Sequence, residues 1–118
     1  MGDDREVYVT GIGISSMAGI GRAPHVALLG AGGAAPGKLD TTTFAPYAVH
    51  PLAPIDFSTE IPSKSEQRQM GVWQRIGVHA AGLALDDAGL KGRPEQLDKT
   101  DLIVAAGNGE RDLMLDQR

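Results

Sequence analysis

Apolar and small residues recur at steps of three and four between Ser63 and Gly89, which is the period of a helix with one buried face. Ser63 and Glu66 have the spacing of a capping box at the start of this helix, and Gly89 is the residue type that most readily follows a helix end. About 25 residues rising about 1.5 Å each would form a rod of roughly 37 Å. The pattern therefore predicts one long helix that crosses a whole domain.

One side of this predicted helix carries very little side-chain bulk. The residues on this side are Gly77, Ala80, Ala81, Gly82 and Ala84. Glycine costs roughly 1 kcal/mol relative to alanine inside a helix, so two glycines at these positions predict the close approach of another element.

Two short apolar runs predict buried strands, one on each side of the helix in the chain. Glu6–Gly13 reads EVYVTGIG and Asp101–Ala106 reads DLIVAA, both rich in residues that favour strands. Pro24–Leu29 predicts one or two helical turns with proline at the first position. Gly30–Pro62 holds too many prolines for a long helix or central strand, yet its aromatic residues predict an irregular segment that docks on something.

The order of strand, short helix, long loop, long helix and strand predicts an α/β fold with a right-handed βαβ crossover. Two strands make a poor sheet on their own. We therefore expect this chain to be the first part of a larger protein. In isolation it should fold poorly or self-associate, because Met70 and Trp73 would be exposed.

Composition narrows the classes of function. The chain has 118 residues, a net charge of −4 without runs of like charge, and no cysteine. The charge argues against a nucleic-acid or anionic-membrane surface. The missing cysteine excludes disulfides, cysteine-based metal sites and a thiol nucleophile within these residues. The first residues resemble neither a secretory signal nor a membrane span, so the cytoplasm is the expected location.

A glycine pair follows the first predicted strand. Gly11 and Gly13 begin a dinucleotide-binding fingerprint, but Ser16 occupies the place of its third glycine and no helix follows at once. A tight turn after a buried strand is the favoured interpretation, with a nucleotide-binding βαβ module left as an alternative.

The three histidines give little support for a metal site. His25, His50 and His79 fall on separate predicted elements without paired carboxylates at ligand spacing. For His79, on the long helix, a packed or exposed structural role is favoured over a ligand role.

Hydroxyl and carboxylate side chains also have mainly structural interpretations. Ser15, Ser16 and Ser63 would be nucleophiles only with an activating base, and the sequence supplies none. Asp86 and Asp87 are adjacent near a helix end, so they point in different directions and make an improbable catalytic pair.

Two cations share a face at the start of the long helix. Lys64 and Arg68 are four residues apart, and on spacing alone a solvated face is the favoured interpretation.

Four stretches, taken together, resemble the N-terminus of β-ketoacyl-ACP synthases, the decarboxylative condensing enzymes with the thiolase fold. They are VTGIGISSMAGIG, FAPYAVHPLAPIDFSTEIPSKSEQRQM, the helix ending LALDDAGL, and DLIVAAGNG. They occur in the family's order and spacing across roughly the whole chain. The resemblance implies a dimeric α/β/α/β/α architecture of two similar halves. Residues 1–118 would form the first βαβ part of the N-terminal half, which makes this a partial thiolase-like fold.

The resemblance also implies where the chemistry lies. The family's cysteine nucleophile, its two histidines and its supporting lysine all lie beyond these residues, so no catalytic residue, metal or cofactor is expected here. The parent protein would take an acyl group onto the thiol and condense it with malonyl-ACP, with release of carbon dioxide, in fatty-acid or polyketide synthesis.

Two family features fall inside the chain. The first is the basic cluster that meets the acidic acyl carrier protein. It matches at Arg68, with Lys64 beside it, whereas Ser65 and Gln69 occupy the other two family positions. The resemblance therefore implies carrier binding through a thinned cluster.

The second feature is the glycine-rich turn after the second strand, which borders the family's acyl pocket. It matches at Gly107 and Gly109. Asn108 stands where the family often has an apolar gate, and Glu110 replaces the next glycine.

A second function remains open within the same fold. A non-catalytic partner subunit, like a chain-length factor, pairs with an active subunit and lacks the nucleophile. The departures at Gln69, Asn108 and Glu110 suit that alternative. Under either function we expect a homo- or heterodimer that binds an acyl carrier protein and neither nucleic acid nor membrane.

Overall fold

The computed structural model describes residues 2, 4–32 and 38–105, and short helices dominate this part of the chain. Its elements are β1 (Ser15–Ser16), β2 (Gly19–Ile20), α1 (Arg22–Gly30), a 3₁₀ turn (Phe57–Thr59), α2 (Lys64–Gln69), α3 (Val72–Asp87) and α4 (Pro94–Leu97). β1 and β2 pair antiparallel, with Ser15 opposite Ile20 and Ser16 opposite Gly19.

The prediction of a single helix from Ser63 to Gly89 is wrong, because the chain breaks between α2 and α3. Met70 (φ −97°, ψ 141°) and Gly71 (φ −67°, ψ 161°) are both extended. Glycine at this position weakens the helix, and the Gln74 side chain accepts a hydrogen bond from the Gly71 N–H at 2.7 Å, which caps a new helix start.

Both predicted ends of this helical region are confirmed. Ser63 Oγ accepts the Glu66 N–H at 3.2 Å at the start of α2. After α3, Gly89 takes a left-handed φ of +70°. Its N–H reaches Asp86 O at 3.0 Å and the Leu90 N–H reaches Leu85 O at 2.8 Å, the two bonds of a Schellman motif.

The first predicted strand lies against α3 through two glycines. A Cβ built on Gly13 would lie 2.7 Å from Ala84 N and closer still to the carbonyl oxygen of Ala80. One built on Gly11 would lie 2.7 Å from Ala88 Cβ. A close backbone approach to α3 is therefore confirmed, but its glycines belong to the N-terminal segment and not to the helix.

The two glycines of α3 have other surroundings. Gly77 has nothing within 4 Å of an added Cβ. Gly82 is buried beneath the side chain of Glu60, whose Oε1 accepts from Lys91 Nζ at 2.5 Å. The absence of a side chain at Gly82 thus leaves space for the Glu60 side chain of the preceding loop and not for another backbone segment.

The predicted strands over Glu6–Gly13 and Asp101–Ala106 are not formed among the described residues, which reach Ala105. Both stretches lack a sheet partner there, so the parallel βαβ crossover is absent from this part of the chain. Val7 is 93 % exposed and Ile103 is 92 % exposed. A strand needs a neighbouring strand for its backbone N–H and C=O groups, and the described residues supply no such strand to either run.

The segment from Gly30 to Pro62 is irregular, as predicted, over its described part. An isolated bridge joins Asp40 and Val49, and the 3₁₀ turn follows. Phe57 docks on α3 with its ring edge-on to His79 at 6.1 Å, whereas Phe44 and Tyr47 are exposed, so the docking prediction is wrong for those two residues.

The core is small and lies between the 3₁₀ turn and the middle of α3. Ile61 and His79 are buried there, and the Arg75 guanidinium lies 5.6 Å from the centre of the Phe57 ring. The chain exposes 9468 Å², whereas a compact monomer of this size would expose about 6100 Å². Its radius of gyration is 17.4 Å, against about 13.5 Å for a compact chain of this length.

The glycine contact predicts opposite effects for two alanine substitutions. Gly13→Ala should lower the free energy of unfolding by about 1–3 kcal/mol, because its methyl group would overlap α3 backbone atoms. Gly77→Ala should raise it by about 0.5–1 kcal/mol, because alanine favours the helix and the space is open. Urea unfolding followed by far-ultraviolet circular dichroism measures both. Equal effects of the two substitutions would contradict the described packing.

The loop closed by the Asp40–Val49 bridge contains a carboxylate, that of Asp40, which should be sensitive to acid. Hydrogen bonds from the Thr43 hydroxyl and backbone N–H lower the pKa of Asp40 from 3.8 to about 2. This pKa is lowered in the folded chain, so its stabilising effect is present above about pH 4 and is lost as pH falls from about 4 to about 2. Carboxyl chemical shifts against pH measure it, and Thr43→Val should raise the pKa while keeping the backbone donor. An Asp40 pKa near 3.8 in the unsubstituted chain would refute the loop geometry.

Candidate functional site

The predicted carrier-binding residues lie on α2. Lys64 and Arg68 are both exposed and four residues apart on this helix, so they share a face as expected. Lys64 Nζ donates to Ser58 Oγ at 2.9 Å. No hydrogen bond or ion pair joins Arg68 to another described residue, so its charge is available to an acidic partner.

The loop before α2 holds this short helix in place. The Gln67 amide donates to the Ile61 carbonyl at 2.6 Å, and Ile61 is buried in the core. Ser65 and Gln69 are also exposed on α2. Glu66 offsets one of the two cations, so α2 presents a weakly basic surface.

An open groove of about 500 Å³ lies at the junction between α2 and α3. It is lined by Glu66, Gln69, Met70, Gln74 and Val78. Methionine and valine give it an apolar part, and the amides offer hydrogen bonds. A carboxylate among its lining residues disfavours anions, so the groove suits an uncharged and partly apolar group.

Asp87 has an anchoring role. Its Oδ2 accepts the Ile12 N–H at 3.0 Å, and its Oδ1 lies 3.8 Å from Arg22 Nη2. These contacts tie the N-terminal segment and the start of α1 to the last turn of α3. The expectation that Asp86 and Asp87 are not a catalytic pair is consistent with this structural use of Asp87.

The expectation that no base accompanies the serines is wrong for Ser16. Its Oγ lies 2.7 Å from His25 Nε2. The two residues are nine positions apart in the chain, and the hairpin and the start of α1 bring them together. No spacing rule relates a turn serine to a histidine on the following helix, so the sequence carried no signal for this pair.

The other two histidines have structural surroundings. His79 is buried beside Phe57, so of the packed and exposed structural roles left open for it, the structure shows the packed one. His50 is exposed, with Nδ1 3.3 Å from the Lys38 carbonyl oxygen. Within the described ranges, no group of three or more histidine, aspartate or glutamate residues could hold a metal ion.

The predicted acyl-pocket residues Gly107, Asn108 and Gly109 lie outside the described residues, as does Glu110. Gly11 and Gly13 face the α3 backbone and leave no room there for a phosphate. The dinucleotide interpretation therefore loses the glycine turn on which it depended.

Comparisons with protein-family models, with curated proteins and with solved structures find no match to this chain. None of the helices in the described ranges is long and apolar enough to cross a membrane.

Proposed function

We propose that residues 1–118 are the N-terminal part of a β-ketoacyl-ACP synthase, an acyltransferase of fatty-acid or polyketide synthesis. The observation that carries this proposal is the pair of apolar runs that have no sheet partner among the described residues. They lie in the two stretches where the sequence resembles the family's first strands. Val7, Val9, Leu102 and Ile103 are each more than four-fifths exposed. Such surface is rare on a finished monomer and indicates an incomplete sheet.

The packing of the N-terminal segment supports the same proposal. Gly11 and Gly13 bring one apolar run directly onto the alanine face of α3. In a layered α/β body, a sheet strand packs on a helix in this way. Addition of neighbouring strands would complete the partial thiolase-like fold, with α3 covering one face of the sheet.

The proposal includes an acyl carrier protein as partner. Arg68 is the principal contact on α2, and Lys64 adds a second charge after exchange of its bond to Ser58. The negative charge of Glu66 lowers the positive electrostatic potential of α2, so docking of the carrier protein through this face should be weak and sensitive to salt.

The chemistry of the parent protein would proceed outside these residues. An acyl group moves to a cysteine thiol and then condenses with malonyl-ACP, which loses carbon dioxide. To that condensation this chain supplies no catalytic group or cofactor, and it contributes Gly107, Asn108 and Gly109 to the acyl pocket. The parent is proposed to be a cytoplasmic homo- or heterodimer.

A chain-length-factor-like partner subunit is the second candidate. It is favoured by Gln69, which is exposed on α2 where the family carries a cation. The residue that opens the next helix of the parent protein decides between the two, since an enzyme requires a cysteine there.

Assembly with the missing part tests the proposed function. The partner is a β-ketoacyl synthase truncated to remove the corresponding N-terminal part. We expect a 1:1 complex with this 118-residue chain by size-exclusion chromatography with light scattering. Ile103→Lys should abolish the complex because a charge would enter the completed sheet. It should change the free energy of unfolding of the chain alone by less than about 0.5 kcal/mol, since Ile103 is exposed there.

Ile103→Val is the matched control and should assemble normally, because valine is apolar and favours strands. Assembly that tolerates lysine at this position, or no assembly of the unsubstituted chain, would refute the proposal.

Charge reversal on α2 tests the carrier contact. Arg68→Glu should weaken binding of an acyl carrier protein to the assembled complex about tenfold, roughly 1.4 kcal/mol, and reduce the salt dependence. Arg93→Glu is the control, since Arg93 is exposed in the turn before α4. Surface plasmon resonance at several salt concentrations measures both, and equal losses would show that only net charge matters.

A further inference from the structure

Ser16 and His25 form a close polar pair beside the β1–β2 hairpin. Ser16 ends β1, and His25 lies in the first turn of α1. Ser16 Oγ is 2.7 Å from His25 Nε2, and His25 Nδ1 is 2.6 Å from the Gly21 carbonyl oxygen. Both side chains are half-buried, which excludes bulk water in part and leaves access for a small molecule.

The hydrogen bonds fix the direction of proton donation. A carbonyl oxygen only accepts, so His25 Nδ1 carries the proton toward Gly21 O. In the neutral imidazole, Nε2 then holds a lone pair and accepts the Ser16 hydroxyl proton. The Ala18 N–H donates to Ser16 Oγ at 3.0 Å, which leaves the hydroxyl proton for the histidine. This is the polarity that a serine nucleophile and its general base require.

Local backbone contacts hold the pair together. The Gly21 N–H donates to Ile14 O at 2.8 Å across the hairpin, and Gly21 takes a φ of +86° that favours glycine. Gly19 also has a positive φ, and a Cβ added there would lie 2.9 Å from Pro24 Cγ. The hairpin and α1 thus position the pair independently of the proposed sheet and of the resemblance to condensing enzymes.

We propose that Ser16 is an acyl-accepting nucleophile with His25 as its general base. Ser16 Oγ attacks the carbonyl carbon of an ester or thioester while its proton moves to His25 Nε2. The new C–O bond forms, and the bond to the leaving group breaks with its electron pair. The leaving group takes the proton from Nε2, or it departs as an anion and Nε2 releases its proton to solvent. The acyl group stays on Ser16, and His25 is neutral again.

Water then releases the acyl group. The water gives a proton to His25 Nε2 as its oxygen bonds to the acyl carbon. The bond from that carbon to Ser16 Oγ then breaks, Oγ takes the proton back from Nε2, and the acyl group leaves as a carboxylic acid. A neutral carbonyl orients His25 where a full triad has a carboxylate, so the imidazolium gains less stabilisation. The substrate class is therefore acyl esters and thioesters with good leaving groups, and not amides.

Covalent labelling of the whole chain tests this proposal. The probe is p-nitrophenyl acetate, and mass spectrometry of peptides locates the acetyl group. We expect acetylation of Ser16, its loss in Ser16→Ala, and a rate at least about 10²-fold lower in His25→Gln. Ser15→Ala and His50→Gln are the matched controls and should label normally at Ser16, because Ser15 Oγ has no hydrogen-bond partner among the described residues and His50 is exposed elsewhere.

A measurement on the unsubstituted chain covers the case in which a variant fails to fold. Denaturing urea should abolish Ser16 labelling, because unfolding separates the serine from its base, whereas nonspecific acetylation of lysines should persist. Absence of Ser16 labelling in the native chain would overturn the proposal and leave the pair as a structural bond between the hairpin and α1. Labelling that survives urea, or that is unchanged in a folded His25→Gln variant, would also overturn it.

Discussion

The contact between the N-terminal glycine segment and α3 is the interaction on which the arrangement of the described residues depends. Gly11 and Gly13 approach the α3 backbone so closely that neither can carry a side chain. The alanines of α3 provide the flat surface for this approach, and Asp87 adds a hydrogen bond to the Ile12 N–H at 3.0 Å. The segment then leads into the hairpin and α1, so this contact places both relative to α3.

The rest of the described chain is held by a modest core. Ile61, His79 and the Phe57 ring fill the space between the 3₁₀ turn and α3, and Glu60 closes over Gly82. This burial leaves the apolar runs around Val7 and Ile103 exposed. In the part of the chain that the structure describes, α3 thus lies near strand-forming stretches that have no sheet partner, and the proposal of a larger sheet is based on this combination. The Ser16–His25 pair depends on neither the core nor the sheet.

Features governed by local interactions could be predicted from the sequence. The Ser63 cap and the Gly89 turn after α3 depend on neighbours within a few residues, and both predictions are confirmed. The break at Gly71 was missed because one glycine costs a helix only about 1 kcal/mol, so packing decides whether the helix continues. The composition of Glu6–Gly13 and Asp101–Ala106 predicts strands, but a strand exists only with a partner strand, and the described residues provide none for these two stretches. Arg68 and Lys64 share their predicted face, while the contact between Ser16 and His25 depends on hairpin geometry that no periodicity encodes.

Nuclear Overhauser effects between the glycine segment and α3 test the central contact most directly. We expect strong cross-peaks from the Gly13 α-protons to Ala80 and Ala84, and from Gly11 to the Ala88 methyl group, in the unsubstituted chain. Random-coil chemical shifts for residues 11–13, with these cross-peaks absent while α3 remains helical, would contradict it.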